Sequence, residues 1–339
     1  MTPLRWLFTA LSFAALIGVS VYIIASDWSS GTARLTLPPV AHLLALAAVI
    51  VEVAARAQKL VWSADAFGLR LPFVTAVRTS LGGDFGAAIT PARSGAEPAR
   101  YLILAEAKLT PASVLLILFA ELLLEALSLA IVVSIVAVVF HDAGPVLGAL
   151  VGVVGGYSVF VLVIAALGFL LSRRNASGPP PRWALRLRLH SGRWRVVQRW
   201  LRQVRRTVDQ VKDVDLVPAG LSLLASIVHV AVRLTVLPAL VLATIPGVAF
   251  APLALWSFSL IYGAVVVPIP GGAGAVEVAF RAVLGDNIPA TIFGATLLWW
   301  RFYTFYIYIV LGGLVAGGAV LRALRKEREM EEELERAAP

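Results

Sequence analysis

The side chains able to do chemistry in this sequence are charged ones set among apolar neighbours. Arg93, Glu97, Arg100, Glu121, Glu125, Glu277, Arg281 and Arg301 all fall in or beside apolar runs. An Arg, Lys or Asp in the middle of a membrane helix costs about 2.5–3.5 kcal/mol on insertion scales, so these groups, left unpaired, would together cost on the order of 20 kcal/mol. A domain's net stability is smaller than that. They must pair, face water or meet a charged ligand. The arginine fork matches phosphate oxygens, and a carboxylate suits either an arginine or a cationic headgroup. This is binding chemistry. The usual signatures of thiol, metal and nucleotide chemistry are missing. There is no cysteine, hence no thiolate nucleophile or thiolate metal site. His42, His141, His190 and His229 show no metal-ligand spacing, and no P-loop occurs. Gly271-Gly-Ala-Gly-Ala-Val276 lacks the strand context of a dinucleotide fingerprint. No metal and no cofactor is expected.

Most of these charges sit in two segments rich in helix breakers. The first reads Gly82-Gly83-Asp84-Phe85-Gly86, then Thr90-Pro91-Ala92-Arg93-Ser94-Gly95-Ala96-Glu97-Pro98-Ala99-Arg100. The second reads Pro268-Ile269-Pro270-Gly271-Gly272-Ala273-Gly274-Ala275-Val276-Glu277, with Arg281 four residues on. Proline removes an N–H donor and clashes with the preceding turn, and a helix end leaves up to four backbone groups without partners. Lipid satisfies none of them, so such backbone must face protein or a wet cavity. A helix that restarts after a glycine break also aims its N–H groups and partial positive charge at what lies before it. Pro91, Gly95, Pro268, Pro270, Gly271, Gly272 and Gly274 are the expected break points. Two readings of the charges stand. Arg93–Glu97, Glu277–Arg281 and Glu52–Arg56 are all spaced i,i+4 and could be salt bridges that only hold the loops, or the constellation lines a headgroup cavity.

The elements that must position these groups come from composition. Of 339 residues, 59% are apolar and 14% charged, against roughly half and a quarter in soluble domains. A water-soluble chain needs a more polar surface, so the bilayer is the main solvent. Apolar runs cover Leu4 to Ala25, Leu37 to Trp62, Ala112 to Phe140, Val146 to Leu171, Val217 to Ile245 and Ile288 to Leu321, with a shorter one at Pro252 to Val267. The first is too long for a signal peptide and is expected to stay as a helix. Orientation follows the Lys/Arg bias. Arg173 to Arg206 carries eleven arginines, while the connections 26–36, 141–145 and 246–250 carry only Arg34. The basic segment is expected inside, with 56–80 (Arg56, Lys59, Arg70, Arg78) and the tail after Arg322. Parity then requires 81–100 to enter and leave from the cytoplasmic side, and 251–287 from the outside. The expected fold is an all-α polytopic membrane protein with about six spanning helices and two re-entrant hairpins. Their common Pro–Gly–Glu order suggests an inverted repeat.

This divides the chain into a first half (1–171), a basic cytoplasmic segment (172–215), a second half (216–321) and a charged tail (322–339). Within the basic segment, Trp194, Val197, Leu201, Val204, Val208 and Val211 recur at helical spacing, opposite most of the arginines. Such a helix lies on an anionic leaflet or packs on protein. Basic juxtamembrane loops are the norm, so no nucleic-acid partner is expected. Gly312-Gly313 and Gly317-Gly318 make a small-residue face for close helix packing.

Thr90-Pro-Ala-Arg-Ser-Gly-Ala-Glu-Pro-Ala-Arg100 resembles the Pro-x-x-x-Gly-x-Glu-x-x-Arg segment of the lysylphosphatidylglycerol synthase transmembrane, or flippase-like, family. Pro268 to Glu277 is similar to that family's second hallmark, Glu121 and Glu125 match its acidic pair, and Trp300-Arg301 resembles its final helix. The likeness runs from about residue 4 to 320. Ala96 departs from it, standing where close relatives often have glycine. The resemblance implies a protein that moves or handles polar lipids, aminoacylated or isoprenoid-linked. Only a charged tail follows residue 321 here, so aminoacyl transfer is not expected. The expectation is a translocator and not an enzyme, with Arg93, Arg100, Arg281 and Arg301 meeting phosphate. Glu97, Glu121 and Glu277 would hold those arginines or meet a cationic headgroup. The expected partners are polar or anionic membrane lipids, with a second copy or a separate lipid-synthesis enzyme left open. The expected place is the plasma membrane, with both termini cytoplasmic. A membrane transferase using a lipid-linked donor, or a non-transporting scaffold, is the alternative.

Overall fold

A computed structural model describes residues 36–90, 93–142, 144–173, 214–263 and 274–318, together with Gly18, Tyr22, Trp194 and Gln198. The expected first helix, most of the basic segment, Pro91, the stretch Pro268 to Gly272 and the tail lie outside the described residues.

All regular structure among the described residues is helical. The order is α1 (Pro39–Asp65), α2 (Phe73–Ala88), α3 (Ala96–Glu106), α4 (Pro111–Val139) and α5 (Pro145–Leu150). A π-helical turn (Val151–Gly155) leads into α6 (Gly156–Arg173), followed by α7 (Leu216–Leu234), α8 (Val236–Leu242), α9 (Phe250–Gly263) and α10 (Ala275–Leu284). Then α11 (Ala290–Arg301) passes through a second π-helical turn (Phe302–Tyr306). Five continuous helical stretches are long and apolar enough to cross a membrane: Pro39–Asp65, Pro111–Val139, Leu147–Leu167, Leu216–Leu242 and Ala290–Gly318. This is the expected polytopic all-α architecture.

Local chemistry sets the boundaries. Proline stands at the first position of α1, α4 and α5, where its missing N–H is no loss. The Thr110 hydroxyl accepts from the Ser113 N–H at the start of α4, and the Asp215 carboxylate accepts from the Val217 N–H at the start of α7. Both are side-chain N-caps. The outer faces are apolar: Leu43, Ile50, Val138, Phe160 and Leu314 are all exposed. In water such surface would be a liability, and in a bilayer it meets lipid. The inner faces carry small residues. Ala41, Ala45, Ala57 and Ala64 of α1 are fully buried, which lets α7 and α8 pack closely on it.

The first short-helix hairpin is present as a helix–break–helix unit, α2/α3; of the second, the arms α9 and α10 are helical, and the stretch 264–273 between them lies outside the described residues. The first is longer than expected. Residues 73–80, assigned above to a cytoplasmic loop, form the first half of α2, because Arg78 finds partners in the Val315 carbonyl and Glu106. Glycine decides the packing at two points. A Cβ on Gly86 would collide with the Gly95 carbonyl, and one on Gly312 with the Leu81 carbonyl. The first contact closes the α2/α3 hairpin, and the second seats the end of the last helix against α2. Gly317 faces open space, so only part of the small-residue stripe is a packing seam. Trp194 is buried, so at this position protein covers the apolar side of the basic segment.

We expect Gly86→Ala and Gly312→Ala each to destabilise the detergent-solubilised protein by about 1–3 kcal/mol, the usual range for overpacking. Gly317→Ala should leave the melting temperature unchanged. A melt insensitive to all three would show that the hairpin contact does not hold the fold.

Candidate functional site

The charged side chains come in pairs one helical turn apart, so each pair shares a face. Glu52, Arg56 and Lys59 line one side of α1, Glu121 and Glu125 one side of α4, His229 and Arg233 one side of α7, and Glu97 and Arg100 one side of α3. These faces converge.

In the first cluster, Arg56 donates to both oxygens of Asp84 on α2, at 2.6 and 3.1 Å, and lies 3.4 Å from Glu52. The other Glu52 oxygen accepts from the Tyr308 hydroxyl at 2.7 Å. Arg233 completes the group, 3.5 Å from Glu52, donating to the Thr304 carbonyl at 3.2 Å. Thr304 lies in the second π-helical turn, where the hydrogen-bond ladder is rearranged.

In the second cluster, Lys59 stands 2.8 Å from Glu125 and 3.5 Å from Glu121. Arg100 lies 3.2 Å from Glu121 and 3.3 Å from Glu97. His229 Nε2 is 3.5 Å from the free oxygen of Glu125. Serines tie the supporting helices together: Ser222 donates to the Lys59 carbonyl, and Ser226 bonds Ser128. In the third cluster, Arg301 Nε donates to Glu277 at 2.5 Å. Arg301 also lies under the Phe305 ring, 4.6 Å from its centre.

A cavity of about 220 Å³ opens among the first two clusters. Its walls include Arg56, Lys59, Asp84, Arg93, Arg233 and the α3 and α4 charges. A smaller cavity of about 70 Å³ reaches the third cluster, lined by Arg301, Trp300 and Tyr308. Asp84, Arg93, Arg233 and Ile261 line both. Leu122, Val153 and Tyr157 also line the larger cavity and are exposed on the outside of the bundle. The rim there lies between α4 and the π-helical turn, on lipid-facing helices. Arg93 takes a left-handed backbone conformation, φ 57°, rare for a non-glycine residue, and makes no ion pair with any described residue.

Several expectations need correction. Arg93 and Glu97 do not pair, because Glu97 turns to Arg100. Glu277 pairs with Arg301 of α11 and not with Arg281, which is exposed with its guanidinium 5.8 Å from the Phe293 ring centre. Arg281 is not among the described residues lining either cavity, while Arg93, Glu97, Arg100 and Glu121 line the larger one and Arg93 and Arg301 the smaller. Only Glu52–Arg56 forms as the i,i+4 spacing implied. Lys59, read as a sign of the cytoplasmic loop, is 1% exposed between two carboxylates. Arg233 carried no sequence signal beyond an arginine late in an apolar run. Gly95 precedes α3 and packs on Gly86, and Gly274 precedes α10 at φ 78°, a turn that favours glycine.

These features define a polytopic α-helical membrane protein with an ion-paired cavity beside the broken α2/α3 hairpin. The lysylphosphatidylglycerol synthase TM region family matches residues 6–312. The chain belongs to that family, which makes it a lipid-related membrane protein. No curated protein matches the sequence.

Removing one partner from a buried ion pair typically costs 3–5 kcal/mol. Lys59→Met should therefore destabilise the protein by about that much, and Lys59→Met with Glu125→Gln should recover part of the loss in a detergent melt. A stable single variant would show that Lys59 is not buried against the carboxylates.

Proposed function

We propose that this protein is a translocator of polar lipids, and that an anionic headgroup enters the cavity while its hydrocarbon tail stays in the bilayer. The observation that carries this reading is Arg93, an arginine with no ion partner among the described residues, at the junction of two cavities. Every other cavity arginine is held by a carboxylate. A phosphate is the complement such a guanidinium lacks, and the rim at Leu122 and Tyr157 gives lipid a lateral way in. The paired carboxylates weigh against the transferase reading. Glu97, Glu121, Glu277 and Asp84 are each engaged by a cation, and the Lys59–Glu125 contact holds one oxygen of Glu125, which weighs against a general base acting on a substrate there. The headgroup is anionic, aminoacylated or isoprenoid-linked, and the protein acts in the plasma membrane with both termini inside.

Vesicles reconstituted with the protein and a fluorescently labelled phosphatidylglycerol should equilibrate the label between leaflets faster than protein-free vesicles. Arg93→Ala should slow this by about tenfold or more, the equivalent of roughly 1.5–3 kcal/mol for a charged hydrogen bond. Its melting temperature should not change, since no ion pair is lost. Protein-free rates with the unmodified protein would overturn the reading.

A further inference from the structure

The ionic clusters are not separately neutral. Around Lys59, two cations (Lys59 and Arg100) face three carboxylates (Glu97, Glu121 and Glu125). Around Glu52, Arg56 and Arg233 balance Glu52 and Asp84. Arg301 balances Glu277. Among the described residues the Lys59 cluster thus counts one carboxylate more than its cations, with Glu97 its exposed member, and Arg93 makes no ion pair. An excess charge in a poorly polar site draws a compensating ion.

His229 is placed to supply it. The ring is 2% exposed, Nε2 faces Glu125 Oε1 at 3.5 Å, and Nδ1 has no partner among the described residues. The other described groups facing this pair are Lys59 and Glu52 of α1, Glu121 of α4, Arg100 of α3, Tyr157 of α6, Arg233 of α7 itself and Tyr262 of α9. Both His229 and Glu125 line the 220 Å³ cavity. Neither is needed to hold a phosphate at Arg93.

We propose that the Glu125–His229 pair is a proton-binding site, and that it takes up one proton for each anionic headgroup the cavity binds. This rests on the translocator reading and adds its coupling ion. A proton held between His229 Nε2 and the Glu125 carboxylate cancels the excess negative charge of the Lys59 cluster. The cavity then carries the single positive charge of Arg93, which a phosphodiester monoanion neutralises. Headgroup and proton move together with no net charge, so a proton gradient can drive the lipid. Histidine suits this role because it gains and loses a proton near neutral pH.

The test is calorimetric binding of dioctanoyl phosphatidylglycerol to the detergent-solubilised protein, in buffers that differ in ionisation enthalpy. Near neutral pH the unmodified protein should take up close to one proton per lipid bound. His229→Gln should still bind lipid, with uptake falling to near zero and with affinity changing less than about twofold between pH 6 and 8. Glu125→Gln is the second variant and should likewise lose proton linkage, whether or not it melts lower. Lipid binding with no proton uptake by the unmodified protein overturns the proposal and leaves the translocator standing. Binding that instead tightens with sodium, still without proton uptake, assigns the site to a metal cation and also overturns it. No binding of any anionic lipid overturns both readings.

Discussion

An ionised group buried in an apolar bundle must be answered by another charge within a few ångströms, and that requirement organises this molecule. Glu52, Arg56 and Lys59 ride on one face of α1, and each needs a partner from another helix. Asp84 brings in α2, Glu121 and Glu125 bring in α4, Tyr308 the last helix and Arg233 α7. The helices are packed by small residues, but their register is fixed by these pairs. Sliding α1 by one turn would leave Lys59 without Glu125 and Arg56 without Asp84. Buried pairs are weak contributors to net stability and strong penalties when broken, so they select one arrangement more than they strengthen it.

The broken helices follow from the same demand. A continuous helix satisfies its own backbone and offers a cavity only side chains. A helix that stops at Ala88 and restarts at Ala96 brings backbone, Arg93 and the α3 charges to the cavity's edge. Gly86 and Gly95 make this compact, since their backbones approach too closely for any side chain. The π-helical turns serve a related end. One lines the larger cavity through Val153 and Val154, and the other presents the Thr304 carbonyl to Arg233.

The fold was largely legible in the sequence, because bilayer thickness and hydropathy together fix span lengths. The proline and glycine cluster between Gly82 and Gly95 likewise marked the first hairpin. The site was legible in its members more than in its pairing. Spacing of four residues proposes Arg93–Glu97 and Glu277–Arg281, yet the first loses to Arg100 on the same helix and the second to Arg301 from another segment. Arg100 reaches Glu97 and then Glu121, and Arg301 crosses from α11 to Glu277. Local spacing sees only one helix, whereas burial rewards whichever cation the packing brings nearest. Lys59 was misplaced for a similar reason. A lysine near the end of an apolar run usually marks the membrane surface, and only Glu121 and Glu125, some sixty residues later, show why it stays inside. Arg233 and His229 looked isolated because their partners lie on α1 and α4.

The distribution of paired and unpaired charge separates scaffold from site. Arg56, Lys59, Arg233 and Arg301 are each engaged by carboxylates, so a ligand would have to displace an existing partner to bind them. Arg93 has none to displace among the described residues, and its strained backbone persists with no ion pair to any of them. Strain of this kind costs of order 1–3 kcal/mol and clusters at functional sites. A residue that adds nothing to the ion-pair lattice, adopts an unfavourable conformation and still points into both cavities has the properties of a ligand contact. The carboxylate side is the mirror case. Among the described residues the Lys59 cluster has more carboxylates than cations, and Glu125 lies beside a buried histidine. What these groups leave unmatched is what sets the proposed ligand and ion apart from the scaffold.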